Sequence, residues 1–255
     1  MTVTTSIDES TSKAMLEIET SGIPFAPRGA QLLVTRKRLI ERPRDVAGFI
    51  EHTLLKPEAT HQAISKLCGE ANEYGFRGVC VNPLFVKEAK AQLSRTGCLV
   101  VAVVGFPLGA SLTKTKAQEA HAVIECGADE VDMVIPVGLL KAGDSRQVFE
   151  DIRTVVEASE LVPVKVILEM CLLDEYQKVM GCILAERAGA ACVKTSTGFV
   201  KGGATVEDVS LIKRVVGDRL AVKAAGGIRD FQSARAMIEA GADRLGCSAS
   251  VAIVS

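Results

Sequence analysis

Eight short apolar segments alternate with amphipathic helical segments from about residue 45 onward, and no other feature of the sequence constrains the fold as strongly. Such alternation is typical of a parallel sheet, because consecutive parallel strands are joined by a crossover that is usually a helix. Eight strands favour an α/β fold in the form of a closed (β/α)₈ barrel, the TIM barrel. An open doubly wound sheet is the alternative, although no GxGxxG motif follows the first segment. The predicted strands lie at 51–55, 78–83, 99–107, 130–136, 162–170, 191–197, 220–227 and 244–250.

Glycines mark the ends of most of the intervening helices. Five of the helices are followed by Gly75, Gly127, Gly189, Gly217 and Gly241, and glycine readily takes the left-handed conformation that ends a helix. Three of these junctions read GADEVDM, GAACVKT and GADRLGC, so one helix-to-strand connection recurs along the chain. This recurrence supports a fold of equivalent strand–helix units. The helices are predicted at 61–74, 84–94, 113–126, 144–159, 174–188, 205–216 and 231–240.

Residues 1–44 differ in composition from the remainder, and we predict that they form an N-terminal extension to a barrel domain at 45–255. The start of the extension is acidic, which is not typical of a transit peptide, whereas residues 28–44 are basic. We expect a partly ordered or packing arm with a short helix at 13–20, and the alternative is a basic segment that binds a partner. Because the sequence ends at Ser255, we expect a short or missing eighth helix, with the extension covering the barrel there.

The overall composition argues against several classes of partner. Thirty basic and 31 acidic residues give a net charge of −1, so neither nucleic acid nor an acidic membrane surface is expected. No apolar run approaches the roughly 20 residues of a membrane span. The eight cysteines include no CxxC pair and the three histidines show no metal-ligand spacing. We therefore expect reduced thiols, a cytoplasmic protein and no metal site.

Two lysines interrupt apolar strands at corresponding positions. Lys194 lies in the sixth predicted strand and Lys223 in the seventh, and strand side chains alternate between two faces. If both point into the barrel, like charge and burial both favour a neutral amine. A neutral lysine beside another cation is a Schiff-base nucleophile, and Asp132 on the fourth strand is the matching carboxylate for proton transfer. The alternative is a structural ion cluster in which Asp132 and Glu169 neutralise the two lysines.

Glycine-bearing loops follow the sixth, seventh and eighth predicted strands. Gly198 follows the sixth predicted strand, Gly226 and Gly227 end the seventh, and Gly246, Ser248 and Ser250 lie at the end of the eighth. Glycines let backbone N–H groups approach phosphate oxygens, and the loops after strands 7 and 8 frequently bind phosphate in barrels. We therefore predict that these loops suit an anion such as phosphate next to Lys194, and the alternative for the Gly-Gly pair is an ordinary turn.

The order of the motifs resembles a known enzyme family. EVDMVIPVG, VKVILE, VKTSTGF and VKAAGGIR follow one another as in the deoxyribose-phosphate aldolases, which are class I aldolases, and HTLLKP, VCVNP and VGFPLGA fit the same family. The resemblance covers about residues 46–253. It implies a (β/α)₈ barrel that reversibly cleaves a small phosphorylated sugar, 2-deoxy-D-ribose 5-phosphate, to D-glyceraldehyde 3-phosphate and acetaldehyde. It also implies that no metal or other cofactor takes part.

The resemblance also implies roles for individual residues. Lys194 in KTSTG would form the Schiff base, and Lys223 in KAAGG would favour the neutral form of the Lys194 amine. Asp132 in EVDMV would transfer protons. Barrels of this type often associate, so the sequence leaves open whether the protein is a monomer or a homo-oligomer. No interface pattern stands out in the sequence. The residues that would help to bind the 5-phosphate are Gly198, Gly226, Gly227 and Ser248.

Two positions depart from the common family pattern. Members often carry Asp where this chain has Glu51, and some carry a lysine where it has Phe199. We expect Glu51 to alter how a substrate hydroxyl is held, and Phe199 to remove one cation from the phosphate side.

Two other functions stay open at this point. One is a metal-independent phosphosugar isomerase that forms no imine, and the other is a non-catalytic phosphate-binding barrel.

Overall fold

Eight parallel strands form a closed barrel in the computed structural model, which describes residues 3–26, 33–34 and 39–255. The strands are β1 Ile50–Leu54, β2 Gly78–Val81, β3 Leu99–Val104, β4 Glu130–Val134, β5 Val164–Ile167, β6 Cys192–Lys194, β7 Ala221–Ala225 and β8 Arg244–Cys247. Each strand pairs with its neighbours in the sequence, and β8 pairs with β1 to close the sheet. The predicted (β/α)₈ barrel is therefore confirmed.

Helices alternate with the strands around the outside of the barrel. They are α1 Val3–Ser21, α2 His61–Tyr74, α3 Val86–Leu93, α4 Thr113–Glu125, α5 Val137–Lys141, α6 Ser145–Ala158, α7 Glu175–Arg187, α8 Val206–Val216, α9 Phe231–Glu239 and α10 Ser250–Val254. The sequence did not predict α5 or the three 3₁₀ helices at Pro43–Phe49, Pro83–Phe85 and Met170–Leu172, because segments this short show no helical period. Within the described ranges, no helix is long and apolar enough to cross a membrane.

Short polar side chains and glycines set the helix ends. At five helix starts, the side chain of the residue before the helix accepts a hydrogen bond from a backbone N–H group in the first turn. All five glycines predicted at helix ends have positive φ, and Gly75 takes the predicted left-handed helical conformation, whereas Gly217, with a ψ of −132°, does not. At Gly127 and Gly241, a Cβ atom would in addition lie 2.7 Å from a lysine side chain. The five capping residues are Thr60, Asp144, Asp174, Thr205 and Asp230.

The main apolar core lies between the outer face of the sheet and the helices. Strand residues of one parity, such as Val79, Val100 and Val222, are buried there. Residues of the other parity point into the barrel. Neighbours in the strand register share this direction, as Asp132 and Lys165 do on β4 and β5. The inside of the barrel therefore carries a group of charged side chains, whereas the layer between sheet and helices is largely apolar.

The extension helix α1 packs against α7 on the outside of the barrel. Ile7, Ala14 and Ile18 form its buried face. Glu17 on the same helix accepts a hydrogen bond from the hydroxyl of Tyr176 in α7. The helix is longer than the predicted 13–20, because this tertiary packing outweighs the weak helix propensity of the Ser and Thr residues in its first turns.

The short last helix, α10, packs against the 3₁₀ helix Pro43–Phe49, in which Val46 and Phe49 are buried. A short or missing eighth helix was predicted, and the helix present is short. The residues that cover the barrel beside it are 43–49 rather than α1. The predicted boundary between residues 44 and 45 falls inside this 3₁₀ helix, and the division into extension and barrel domain stays a prediction. Most of the predicted basic segment at 28–44 lies outside the described residues.

Candidate active site

Six charged side chains on β1 and on β4 to β7 form one group inside the barrel, and each is at most 3% exposed. Three are lysines and three are carboxylates, so their formal charges balance when all are ionised. This balance matters because a buried charge is costly unless it is paired. We refer to these six residues as the lysine–carboxylate cluster. They are Glu51 on β1, Glu130 and Asp132 on β4, Lys165 on β5, Lys194 on β6 and Lys223 on β7.

Asp132 is the centre of the cluster, because its two oxygens bind all three lysines. Oδ1 accepts a hydrogen bond from Lys165 Nζ at 2.8 Å, and Oδ2 accepts from Lys194 Nζ at 2.7 Å and from Lys223 Nζ at 2.6 Å. Burial opposes the charged carboxylate, but the three ammonium groups outweigh burial and hold the pKa of Asp132 well below its usual range. Lys194 and Lys223 are register partners that share one oxygen, so the predicted proximity of the two lysines is confirmed.

Lys165 and Lys223 are each held by more than one carboxylate. In addition to Asp132, Lys165 Nζ lies 2.6 Å from Glu130 Oε2 and 3.4 Å from Glu51 Oε1. Lys223 Nζ also donates to the Glu51 carboxylate. Burial alone would lower the pKa of both lysines, but the surrounding carboxylates outweigh it, Asp132 most strongly, and raise the pKa of both. Both side chains therefore remain ammonium ions at neutral pH.

Lys194 differs from the other two lysines in its partners and in its surroundings. Among the residues that the structure describes, its Nζ forms an ion pair with one carboxylate, Asp132. Its side chain lines a cavity of about 380 Å³ at the carboxyl ends of β1, β6, β7 and β8, whereas those of Lys165 and Lys223 do not. The lysine that an incoming carbonyl group can reach is thus also the one with the fewest carboxylate partners.

The cavity brings together the predicted phosphate-binding residues and the predicted nucleophile. Gly198, Gly226, Gly227 and Ser248 all line it together with Lys194. Asp132 and Lys223 do not line it, because they lie behind Lys194 inside the barrel. The seven predicted site residues therefore form one continuous arrangement, with the buried charges behind the reachable amine and the loops around the opening.

The loop after β6 is held by Glu169, which follows β5. The backbone of Glu169 has a φ of 56°, which is uncommon outside glycine, and its side chain is buried. Its carboxylate accepts hydrogen bonds from the Thr197 backbone N–H, at 3.2 Å, and from the Thr197 hydroxyl. The idea that Glu169 neutralises the lysines is therefore wrong, since the second carboxylate on Lys223 belongs to Glu51. Glu169 instead shapes the loop that carries Gly198.

Glu51 was expected to affect how a substrate hydroxyl is held, but its side chain does not line the cavity. Its side chain is 1% exposed, and its carboxylate is engaged with Lys165 and Lys223. Barrel closure causes this, because inward-facing side chains of β1 meet those of β5 and β7 inside the barrel. Glu51 and Lys223 are 172 residues apart in the sequence, so no local pattern could reveal their contact.

Sequence reasoning did not assign Lys56 and Arg229, although both line the cavity. Each follows the carboxyl end of a strand, Lys56 after β1 and Arg229 after β7, and that position was the available signal. They supply positive charge where Phe199 supplies none. The Phe199 ring packs edge-to-face against Phe106, with 5.1 Å between ring centroids. In the described ranges, no group of three or more His, Cys, Asp or Glu side chains is arranged to hold a metal ion.

The geometry agrees with the comparisons to known proteins. A family model described as the DeoC/LacD family aldolase matches residues 49–254. This chain belongs to the DeoC/LacD aldolase family. The aldolase is 57% identical over 210 residues to the deoxyribose-phosphate aldolase of Thermotoga maritima, an overlap that covers 82% of this chain and 85% of that protein. The resemblance inferred from the motifs is therefore confirmed, and the chain is a lyase of the aldolase type.

Solved structures of similar proteins support the fold of the aldolase. A putative deoxyribose-phosphate aldolase from Coccidioides immitis is 39% identical with a TM-score of 0.84, and the match covers 96% of each chain. The deoxyribose phosphate aldolase from Aeropyrum pernix, described as having a unique tetrameric structure, is 35% identical with a TM-score of 0.78. That match covers 83% of this chain and 90% of the other.

Proposed function

We propose that this aldolase reversibly cleaves 2-deoxy-D-ribose 5-phosphate to D-glyceraldehyde 3-phosphate and acetaldehyde through a Schiff base at Lys194. The observation that carries the proposal is the setting of Lys194, which lines the cavity, binds Asp132 and lies beside the Lys223 ammonium group. The name of the Thermotoga maritima relative supplies the substrate class.

Imine formation begins with the loss of a proton from Lys194. Asp132 Oδ2 lies 2.7 Å from Lys194 Nζ and is the carboxylate positioned to accept that proton. Lys223 keeps its own proton, because Asp132 and Glu51 outweigh burial and raise its pKa. Its positive charge favours the neutral form of the neighbouring amine. The amine then adds to the C1 aldehyde of the open-chain sugar and gives a carbinolamine. Asp132 returns its proton to the carbinolamine hydroxyl, which leaves as water and gives an iminium ion.

Carbon–carbon cleavage follows from the iminium ion, which withdraws electrons from the C2–C3 bond. A base removes the proton of the C3 hydroxyl, C3 becomes the aldehyde carbon of glyceraldehyde 3-phosphate, and the C2–C3 electron pair forms an enamine. Protonation of C2 then gives the iminium ion of acetaldehyde, and water releases acetaldehyde and restores Lys194. Asp132, acting through water, is the group that we assign to these proton transfers.

The phosphate is proposed to bind in the glycine loops around the cavity. Gly198 and Gly226 have φ values of 84° and 91°, a region that favours glycine. A Cβ atom on Gly203 would lie 2.6 Å from the carbonyl oxygen of Gly226, so the two loops approach too closely for a side chain at Gly203. Lys56 and Arg229 add positive charge to the lining of the same cavity.

Borohydride trapping tests the assignment of Lys194. Acetaldehyde and sodium borohydride should leave an ethyl group on Nζ, and peptide mapping should locate it at Lys194. Lys116 is an internal control in the same sample, because it is fully buried, paired with Asp151 and does not line the cavity. Lys194→Leu should lose both the adduct and turnover while it stays folded. An enzyme that cleaves the sugar without any adduct at Lys194 would overturn the proposal. A phosphosugar isomerase would form neither adduct nor acetaldehyde.

We also propose that the protein is cytoplasmic and forms a homo-oligomer. All eight cysteines are free, which fits a reducing compartment. Leu84, Leu108 and Leu112, on the connections after β2 and β3, are 81%, 73% and 78% exposed, and exposed apolar side chains of this size are available for an interface. The relative from Aeropyrum pernix is tetrameric. Sedimentation velocity should show a species larger than a monomer, and a monomer at micromolar concentration would contradict this proposal.

A further inference from the structure

Leu33 lies in a small apolar cluster that is separate from the main core. It belongs to the segment between α1 and β1, and it is 7% exposed. Its neighbours in this cluster are Ala191, Cys192 and Ala221, with the half-buried Val34 packed against them. A side chain from the N-terminal extension therefore packs onto the first residues of β6 and β7.

This small cluster lies inside the barrel, at its N-terminal mouth. Cys192 precedes Lys194 by two residues on β6, so its side chain shares the inward-facing parity, and Ala221 has the same place on β7. Both residues are fully buried. Lys165 is the register partner of Cys192 on β5. The Leu33 side chain is thus one layer of side chains away from the lysine–carboxylate cluster.

We propose that Leu33 is a plug that closes the N-terminal mouth of the barrel and keeps water away from the lysine–carboxylate cluster. Barrel interiors are usually filled by bulky branched side chains from the strands. Cys192 and Ala221 are small, and a leucine from outside the barrel fills the space that they leave. The opposite mouth carries the cavity that Lys194 lines. The barrel is therefore open at one end and closed at the other.

Leu33 acts as a positioning residue for the charges of the cluster. Charge interactions are stronger where water is excluded. Water at the N-terminal mouth would screen the contact between Lys165 and Asp132 and so weaken the hold on the Asp132 carboxylate. The effect should fall on kcat and leave KM almost unchanged, because Leu33 lies at the end of the barrel opposite to the cavity. This catalytic consequence rests on the proposed function, whereas the plug itself does not.

Thiol labelling of Cys192 tests the plug without reference to activity. Leu33→Ser removes the apolar side chain, and Leu33→Met keeps one of similar volume. The native proteins are treated with iodoacetamide and the labelled cysteines are mapped by mass spectrometry. Cys192 should be labelled roughly ten to a hundred times faster in Leu33→Ser than in the wild type, since loss of a buried leucine favours local opening to that extent. Leu33→Met should match the wild type.

Two controls separate opening of the plug from general destabilisation. Cys182, which is fully buried in α7, reports global unfolding in every sample. Ile40 is buried in the same N-terminal segment but packs in the main core, so Ile40→Ser should leave the ratio of Cys192 to Cys182 labelling unchanged. Unchanged protection of Cys192 in Leu33→Ser, or equal acceleration at Cys182, would overturn the plug.

Steady-state kinetics then test the link from the plug to catalysis. Leu33→Ser should lower kcat about tenfold with little change in KM, and Leu33→Met and Ile40→Ser should retain the wild-type kcat. Faster labelling of Cys192 together with an unchanged kcat would support the plug and overturn its catalytic role.

Discussion

At the scale of single residues, the number of carboxylates around each buried lysine separates their roles. Lys223 binds Glu51 and Asp132 and stays charged, whereas Lys194 binds Asp132 and faces the cavity. The sequence placed both lysines side by side, because strand parity and the shared position on β6 and β7 are local properties. It could not reveal the carboxylate that distinguishes them, because Glu51 comes from the first strand and meets Lys223 only when the barrel closes.

Lys223→Met is expected to lower kcat at least roughly a hundredfold, since the positive charge that favours neutral Lys194 is removed. It should also destabilise the fold by about 3–5 kcal/mol, because Glu51 is left with one cation fewer in a buried site. Lys116→Met is the matched control, since it breaks the buried pair of Lys116 with Asp151 outside the cavity. Steady-state kinetics and urea unfolding should show similar instability in both variants but loss of kcat in Lys223→Met alone. A similar loss of kcat in both would argue against the role of Lys223.

At the scale of elements, the bounds of the predicted barrel strands and helices were largely readable from the sequence. Apolar runs located the strands, and polar caps and glycines located the helix ends. The full length of α1 was not readable, since its helical state depends on packing against α7. The shape of the β6–α8 loop was not readable either, because it depends on Glu169 from the preceding strand–helix unit and on an unusual backbone conformation at that residue.

Glu169→Gln should raise KM for the phosphorylated sugar about tenfold with a smaller effect on kcat, because the charged acceptor that orients Thr197 and the Gly198 loop is lost. Glu160→Gln is the control. Glu160 is also a non-glycine residue with positive φ, 51°, but it is exposed on the loop that precedes β5, at the opposite end of the barrel. Initial-rate kinetics with the phosphorylated and the unphosphorylated sugar should show that the increase in KM is larger for the phosphorylated one. An equal increase for both sugars would mean that Glu169 does not act through the phosphate loops.

At the scale of the whole molecule, the lysine–carboxylate cluster links stability to pH in two directions. Burial would raise the pKa of Asp132 and Glu51, but the lysines outweigh burial and lower both. The two carboxylates therefore contribute fully to the free energy of unfolding above about pH 4, and this contribution is lost as the pH falls further. The pKa of Lys165 and of Lys223 is raised, so their contribution is complete below about pH 10 and is lost as pH rises through the folded-state values.

Urea unfolding across the pH range should therefore show a plateau from about pH 5 to pH 9 in the part of the stability that the cluster contributes. Glu51→Gln should reduce the loss of stability on the acid side, because one of the depressed carboxyl groups no longer titrates. A steep change in the difference between wild type and Glu51→Gln from about pH 6 to pH 8 would contradict this account.

The charge balance of the lysine–carboxylate cluster also affects which charged and neutral forms of Lys194 Nζ are stable during the reaction. An ammonium ion and an iminium ion carry the same charge, so three positive charges face three negative ones both before the sugar binds and while it is attached. A free amine or an enamine leaves one carboxylate charge in excess, and Asp132 does not retain the proton because its pKa is held low. The free amine is therefore short-lived, because the surrounding charges favour a cation at this nitrogen. The charges of the cluster therefore favour addition of the amine to a carbonyl carbon and protonation of the enamine, because each of these reactions restores a cation at Nζ.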